Sequence, residues 1–272
     1  MMPMIHDAGT VFDAAVLRRV GERFGVQTWP VVLDLTGAAE SGSAATSVRE
    51  TDAVIDELGL VEHGEPSPWT ATILRVLARP QREIEIRSYA ESGVRRICLA
   101  RNGHDHVVAV RWGDRIELSV VDVADPATLA ALVRAQFDAD VAERVPPAEF
   151  TAFSAPADEV VTRLGRCASG AETTDALHAL GATPADAMVV SSAFASCRTR
   201  TEIVASMNED GRFAQSSGAI AVFDTDRGRI VTSPSKSPDG RVWTTLSPGS
   251  GHRIAQAVGL LIETLPGGTW MP

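Results

Sequence analysis

Glu83-Ile84-Glu85-Ile86-Arg87-Ser88-Tyr89, Val94-Arg95-Arg96-Ile97-Cys98-Leu99-Ala100-Arg101, His106-Val107-Val108-Ala109-Val110-Arg111-Trp112 and Arg115-Ile116-Glu117-Leu118-Ser119-Val120-Val121 are four consecutive runs separated by turns containing Gly, Asn or Asp. Runs of this length between such breakers predict strands, and connections this short make each strand antiparallel to the next. Working outward, the segments before Arg82 have helical rather than alternating spacing. Val11, Phe12, Ala15, Val16, Val20 and Phe24 predict a helix capped by Thr10, followed by an extended piece over Val31 to Leu35. Further helices are expected over 46–59 and over Pro68 to Ala78, stopping at Pro80. After the strands, Asp125-Pro126 opens a helix that runs to about Ala135.

The same order returns beyond Pro146-Pro147. Helices are expected over 156–168, 172–180 and 184–196, strands over Thr201–Met207, Ala214–Asp224, Arg229–Ser233 and Arg241–Leu246, and a last helix over Ser250 to Thr264. The register repeats as well. Arg82-Glu83-Ile84 leads to Glu91-Ser92-Gly93-Val94-Arg95 as Thr201-Glu202-Ile203 leads to Glu209-Asp210-Gly211-Arg212. Trp112-Gly113-Asp114-Arg115 likewise corresponds to Pro238-Asp239-Gly240-Arg241. The expected fold is therefore α+β (mixed α/β): a pseudo-twofold duplicated unit with a central, largely antiparallel sheet and flanking helical bundles. Its copies span 1–137 and 156–272, joined by a linker over 138–155 and packed as a single domain.

Composition narrows the function. The chain has 272 residues, 44% of them hydrophobic, and a formal net charge of -10 with no offsetting basic cluster, which disfavours nucleic acid and anionic membranes. Cys98, Cys167 and Cys197 are widely spaced and read as reduced, buried thiols. The N-terminus lacks a signal-like apolar stretch and no run reaches membrane-spanning length, so a cytoplasmic location without membrane insertion is expected.

No motif carries catalysis. Gly249-Ser250-Gly251 precedes a helix but lacks the third glycine and acidic partner of a dinucleotide site, so Ser250 reads as a helix cap. Ser233-Pro234-Ser235-Lys236 has SxxK spacing but reads as a hairpin loop, and His104-Asp105-His106 as a polar turn rather than a metal site. P-loop, GxSxG and HExxH signatures do not occur, and Glu83 and Glu85 read as a solvated strand face. No cofactor or metal is expected, and the chain is not expected to be an enzyme.

What remains is a sheet surface. Ile203, Ala205, Met207, Ser216, Gly218, Ile220 and Val222 share one parity and read as core. The opposite parity, Glu202, Val204, Ser206, Gln215, Ser217, Ala219 and Ala221, is small and mixed, and suits close approach by a partner's helical end, with Glu202 as an acceptor.

Ile73-Leu74-Arg75-Val76-Leu77-Ala78-Arg79-Pro80 followed by charged strands resembles the EspG proteins of mycobacterial and actinobacterial type VII (ESX) secretion. So do Glu202-Ile203-Val204-Ala205, Asn208-Glu209-Asp210-Gly211-Arg212, the stretch Asp224 to Trp243 and the tail Thr264 to Pro272, which are most similar to the paralogue of the third ESX system. The resemblance implies a cytosolic chaperone that binds the PPE tip of a PE–PPE heterodimer, keeps it soluble and supports its secretion. It also implies contacts from the central sheet through Glu202, from the second helical bundle, and from the loop between the second and third strands, here Asn102, Gly103 and Asp105. Two other readings stay open: a small-molecule-binding enzyme or sensor, and a self-associating scaffold whose sheet edge makes a homodimer when unliganded.

Overall fold

The computed structural model describes residues 9–35, 48–138, 145–209 and 211–272, so the N-terminal reading and Asp210 fall outside the described residues. The first half runs β1 (Thr10–Asp13), α1 (Ala14–Arg23), a 3₁₀ turn (Val31–Leu33), α2 (Val48–Glu57), β2 (Val61–Glu62), β3 (Glu65–Pro66), α3 (Pro68–Ala78), β4 (Arg82–Ala90), β5 (Gly93–Asn102), β6 (Asp105–Trp112), β7 (Arg115–Val121) and α4 (Pro126–Asp138). The second runs β8 (Phe153–Pro156), α5 (Ala157–Leu164), α6 (Gly170–Ala179), α7 (Pro184–Ala195), β9 (Cys197–Glu209), β10 (Arg212–Gln215), β11 (Ile220–Thr225), β12 (Gly228–Lys236), β13 (Val242–Pro248) and α8 (Gly251–Glu263).

One sheet joins the halves in the order β1-β7-β6-β5-β4-β9-β11-β12-β13-β8, with β10 also paired to β9 and every named pair antiparallel. That order is symmetric about the β4–β9 junction. With Glu83 matched to Glu202, Glu85 is matched to Val204, and Glu85 and Val204 pair across the junction, so the pseudo-twofold axis passes between them. The turns agree: Ala90 pairs with Gly93 as Glu209 pairs with Arg212.

Three apolar clusters build the layers. On one face, Ile84, Ile86, Ile97, Leu99, Val108, Val110, Ile203, Ala205, Ile220 and Val222 pack beneath α4 and α8. On the other, α1 to α3 cover Cys98, Ala100, Val107, Ala109, Ile116 and Leu118, and α5 to α7 cover Ile230, Leu246, Phe153 and Ala155. The chain's end closes the first layer. Trp270 is buried, and its indole N–H donates to Nε2 of the buried His106 at 3.1 Å. His106 is thereby withdrawn into the core, while His104 stays at the exposed turn. Among the described residues no cluster of three His, Cys, Asp or Glu is arranged for a metal ion.

Several expectations are corrected. Thr10–Asp13 is a strand, because it pairs with Leu118–Arg115 at the sheet edge, and the helix starts after Asp13, whose carboxylate accepts from the Ala15 N–H at 2.7 Å. Val31–Leu33 curls instead of extending, because Arg111 Nη1 donates to the carbonyl oxygens of Leu33, at 2.7 Å, and Asp34. Phe153–Pro156 is a strand on β13, not linker or helix. The segment before it is also anchored: Arg229 N–H donates to Pro146 O at 2.6 Å and Ala148 N–H to Arg229 O at 2.9 Å. Ser233-Pro234-Ser235-Lys236 continues β12 rather than forming a loop, since it pairs with Thr245–Val242. Ser250 caps α8 as expected, accepting from Arg253 N–H at 3.2 Å. Of the cysteines only Cys98 is buried; Cys167 is partly exposed and Cys197 exposed, because both lie outside the apolar clusters.

The strand expected over Ala214–Asp224 is interrupted. Gln215 pairs with Ser206, yet Ile220 pairs with Ile203, so two extra residues are accommodated over Ser216–Ala219. Ser216 Oγ accepts from Ala205 N–H at 3.2 Å and donates to Gly218 O at 2.7 Å, stabilising the detour. Gly218 passes so close to Pro234 that a Cβ there would lie 2.6 Å from the proline ring. The slip is an even number of residues, so side-chain parity is preserved.

Ile203 is fully buried at the junction and pairs with Ile86 and Ile220. Ile203→Ala is expected to lower stability by about 3 kcal/mol through lost burial and the resulting cavity. Urea denaturation followed by circular dichroism measures it, and a loss below about 1 kcal/mol would mean that the junction is not tightly packed.

Candidate functional site

Among the described residues the two helical bundles cover the flanks of the sheet and leave the β4–β9 face between them outside every buried apolar cluster. No residue on this face of β4 or β9 belongs to a buried apolar cluster. The floor comprises Glu83, Glu85, Arg87 and Tyr89 from β4 and Arg200, Glu202, Val204 and Ser206 from β9, flanked by Ala221 beside Glu202 and Gln215 beside Ser206.

The expected surface residues are thereby placed. Glu202, Val204 and Ala221 are partly exposed, while Gln215, Ser217 and Ala219 are exposed. Ser206 is 3% exposed and offers no contact surface, because Glu83 and Gln215 flank it across the two strand pairings. The Asn102–Asp105 turn is held rigidly. Asn102 Nδ2 donates to Arg79 O at 2.6 Å, Gly103 N–H to Gln81 Oε1 at 2.8 Å, and Asp105 forms an ion pair with Arg75. Arg101 ties the turn to the β9 hairpin, donating from Nη1 to Gly103 O at 3.0 Å and from Nη2 to Glu209 Oε1 at 2.7 Å. Arg82 reaches the other oxygen of Glu209 at 3.1 Å. The turn therefore lies at the Gln215 end of the floor, and about 17 Å of strand separates Met207 at that end from Glu202. The ten expected residues form an extended strip, not one pocket.

Sequence reasoning missed part of this floor. Phe213 pairs with Asn208 in line with Gln215 and is 72% exposed. Continued alternation through β10 was the available signal. Glu83 and Glu85 are not a freely solvated face: both are partly buried beside the twofold axis. Burial pushes the Glu83 carboxyl up to about 7, the Glu85 charge adds to the rise, and the Cys98 thiol 3.7 Å from Oε2 opposes it. Burial also raises the Cys98 thiol well above its ordinary range.

A separate groove of about 1040 Å³ opens at the opposite sheet end, lined by Ser88, Arg95, Arg111, Thr201 and Asp224 among others. Two of its charged groups are engaged: Arg95 Nη1 donates to Gln136 O at 2.9 Å, and Asp224 pairs with Arg229.

The protein is a pseudo-twofold α+β scaffold whose central sheet face lies between two helical bundles. The EspG family model matches residues 13–259. The chain belongs to the EspG family. It is 30% identical to the ESX-3 secretion-associated protein EspG3 of Mycobacterium tuberculosis (strain CDC 1551 / Oshkosh), over 93% of this chain and 90% of that protein. It is 32% identical to the ESX-1 secretion-associated protein EspG1 of Mycobacterium tuberculosis (strain ATCC 25618 / H37Rv), over 77% of this chain and 70% of the relative. Its fold is that of the Mycobacterium tuberculosis type VII secretion system chaperone EspG5, solved in complex with the PE25-PPE41 dimer, with a TM-score of 0.82, 20% identity and coverage of 96% and 98% of the two chains.

The folded protein holds the Glu83 proton to about pH 7, whereas the unfolded chain releases it near the ordinary value of 4.5. The folded state binds more protons between those values, so stability is greatest below the lower and falls as pH rises to the upper. Urea midpoints measured from pH 5 to pH 8 are expected to decline in the parent relative to Glu83→Gln. Parallel curves would show that Glu83 ionises as a solvated carboxylate.

Proposed function

We propose that this protein is a cytoplasmic chaperone of type VII (ESX) secretion and not an enzyme. It binds the PPE subunit of a PE–PPE heterodimer at its exposed tip, keeps the pair soluble and supports its secretion. The observation that carries the reading is the open floor of β4 and β9 between the two bundles, in a chain whose fold matches EspG5 over nearly its whole length. The two repeats act as one domain, a reading that the sheet they share supports.

The mechanism is capping. A helical tip that exposes large apolar side chains self-associates with a drive of roughly 25 cal/mol per Å² of buried apolar surface, and a floor that covers it removes that drive until release. Glu202 supplies an acceptor within a surface of small residues that lets helix ends approach closely. Gln215, Ser217, Ala219, Ala221 and Val204 complete that surface, and the Asn102, Gly103 and Asp105 turn bounds one end. Val161 on α5 and Met188 on α7 are 73% and 60% exposed, which supports participation of the second bundle. No helix among the described residues is long and apolar enough to cross a membrane. A homodimer of the free chain is a further expectation that size-exclusion chromatography addresses.

Glu202→Arg is expected to lower capture of a co-expressed PE–PPE heterodimer by roughly tenfold or more, because it places a cation where an acceptor is needed. Pull-down together with thermal melting of the variant measures it. Undiminished capture by a normally folded variant would remove this face from the binding site.

A further inference from the structure

The twofold axis makes Glu83 and Glu202 equivalent positions, yet their surroundings differ. Glu83 lies partly buried beside Glu85, with the Cys98 thiol near its oxygen. Glu202 is accessible, with 43% of its side chain exposed, and Arg200 Nη2 stands 3.2 Å from its Oε1. Arg200 pairs with Tyr89 across the β4–β9 junction, and its guanidinium carbon lies 5.1 Å from the centre of the Tyr89 ring. An arginine over an aromatic face is held by the ring's negative quadrupole while its N–H edge remains free to bind a carboxylate.

Arg87 is the competing cation. It sits directly opposite Glu202 in the register, but its Nη2 is 3.2 Å from Glu85 Oε2 on its own strand. The charges on the floor are thus paired along the strands rather than across them. Glu202 is held through Oε1 by Arg200, and its side chain remains 43% exposed.

Resting on the proposed capture of PE–PPE by this floor, we infer that Arg200, braced on Tyr89, is a positioning residue that fixes the Glu202 carboxylate for a hydrogen-bond donor on the partner's tip. The braced carboxylate is therefore confined to the second copy of the duplicated strand. In the first copy, Gln81 stands where Arg200 does and Asn208 stands where Tyr89 does, so Glu83 lacks both braces. Exposed ion pairs contribute little to folding, so removing this arrangement alters recognition and leaves stability nearly unchanged.

The test uses the full chain and a co-expressed PE–PPE heterodimer that binds it, with affinities from calorimetry and melting temperatures for every variant. Glu202→Gln is expected to weaken binding roughly tenfold, Arg200→Gln and Tyr89→Ala roughly threefold to tenfold, and the conservative Tyr89→Phe hardly at all. Arg200→Gln combined with Glu202→Gln is expected to be no weaker than Glu202→Gln alone, because Arg200 acts through Glu202. Additive losses would make Arg200 a direct contact and overturn the positioning role. Parent-like binding by Tyr89→Ala and Arg200→Gln, with Glu202→Gln impaired, would also overturn it. Parent-like binding by Glu202→Gln itself would instead refute the underlying assignment of the floor.

Discussion

The pairing of β4 with β9 is the constraint on which everything else depends. Nine consecutive residue pairs, from Arg82 with Met207 to Ala90 with Thr199, join the two halves into one sheet. The pleat sends Ile84, Ile86, Ile203 and Ala205 into the layer under α4 and α8, and sends Glu83, Glu85, Arg87, Glu202 and Val204 to the opposite side. A one-residue slip of β4 would turn Glu83, Glu85 and Arg87 into the apolar layer, so that layer fixes the register of the floor as well as its own packing.

Duplication accounts for why the floor is open. Each copy places its three-helix bundle over the outer strands of its own half, and neither bundle reaches the strand at the axis. The uncovered area is a consequence of the symmetry. The two copies then diverge in detail on that surface. The two-residue detour at Ser216–Ala219 has no counterpart in β5, whose pairing with β4 runs unbroken. It separates β10 from β11 and leaves Phe213 and Gln215 displayed at one end of the floor.

Polar groups at the sheet end are arranged for rigidity. Arg82 and Arg101 converge on Glu209, Arg101 also holds Gly103, and Trp270 closes over His106 in the same sheet end. Buried guanidinium groups are tolerated where a carboxylate and carbonyl oxygens share their donors. A binding face with a braced end presents its donors and acceptors without a large ordering cost on association.

The sequence alone determined the four strands between Arg82 and Val121, the repeated order of elements, the -10 net charge and the two parities on β9, because alternation and turn chemistry are local properties. It placed Glu202 on the face opposite the apolar layer for the same reason. Only the tertiary structure decided the rest. Thr10–Asp13 became a strand through a partner more than 100 residues away, and Ser206 proved buried through neighbours on two other strands. The local pattern of Glu83 and Glu85 suits a solvated strand, but the fold partly buries both beside the twofold axis, where desolvation and the neighbouring Glu85 charge raise the Glu83 carboxyl. The pairing of Arg200 with Tyr89 depends on strand register across the junction, and register is set by the whole apolar layer rather than by either strand's own residues.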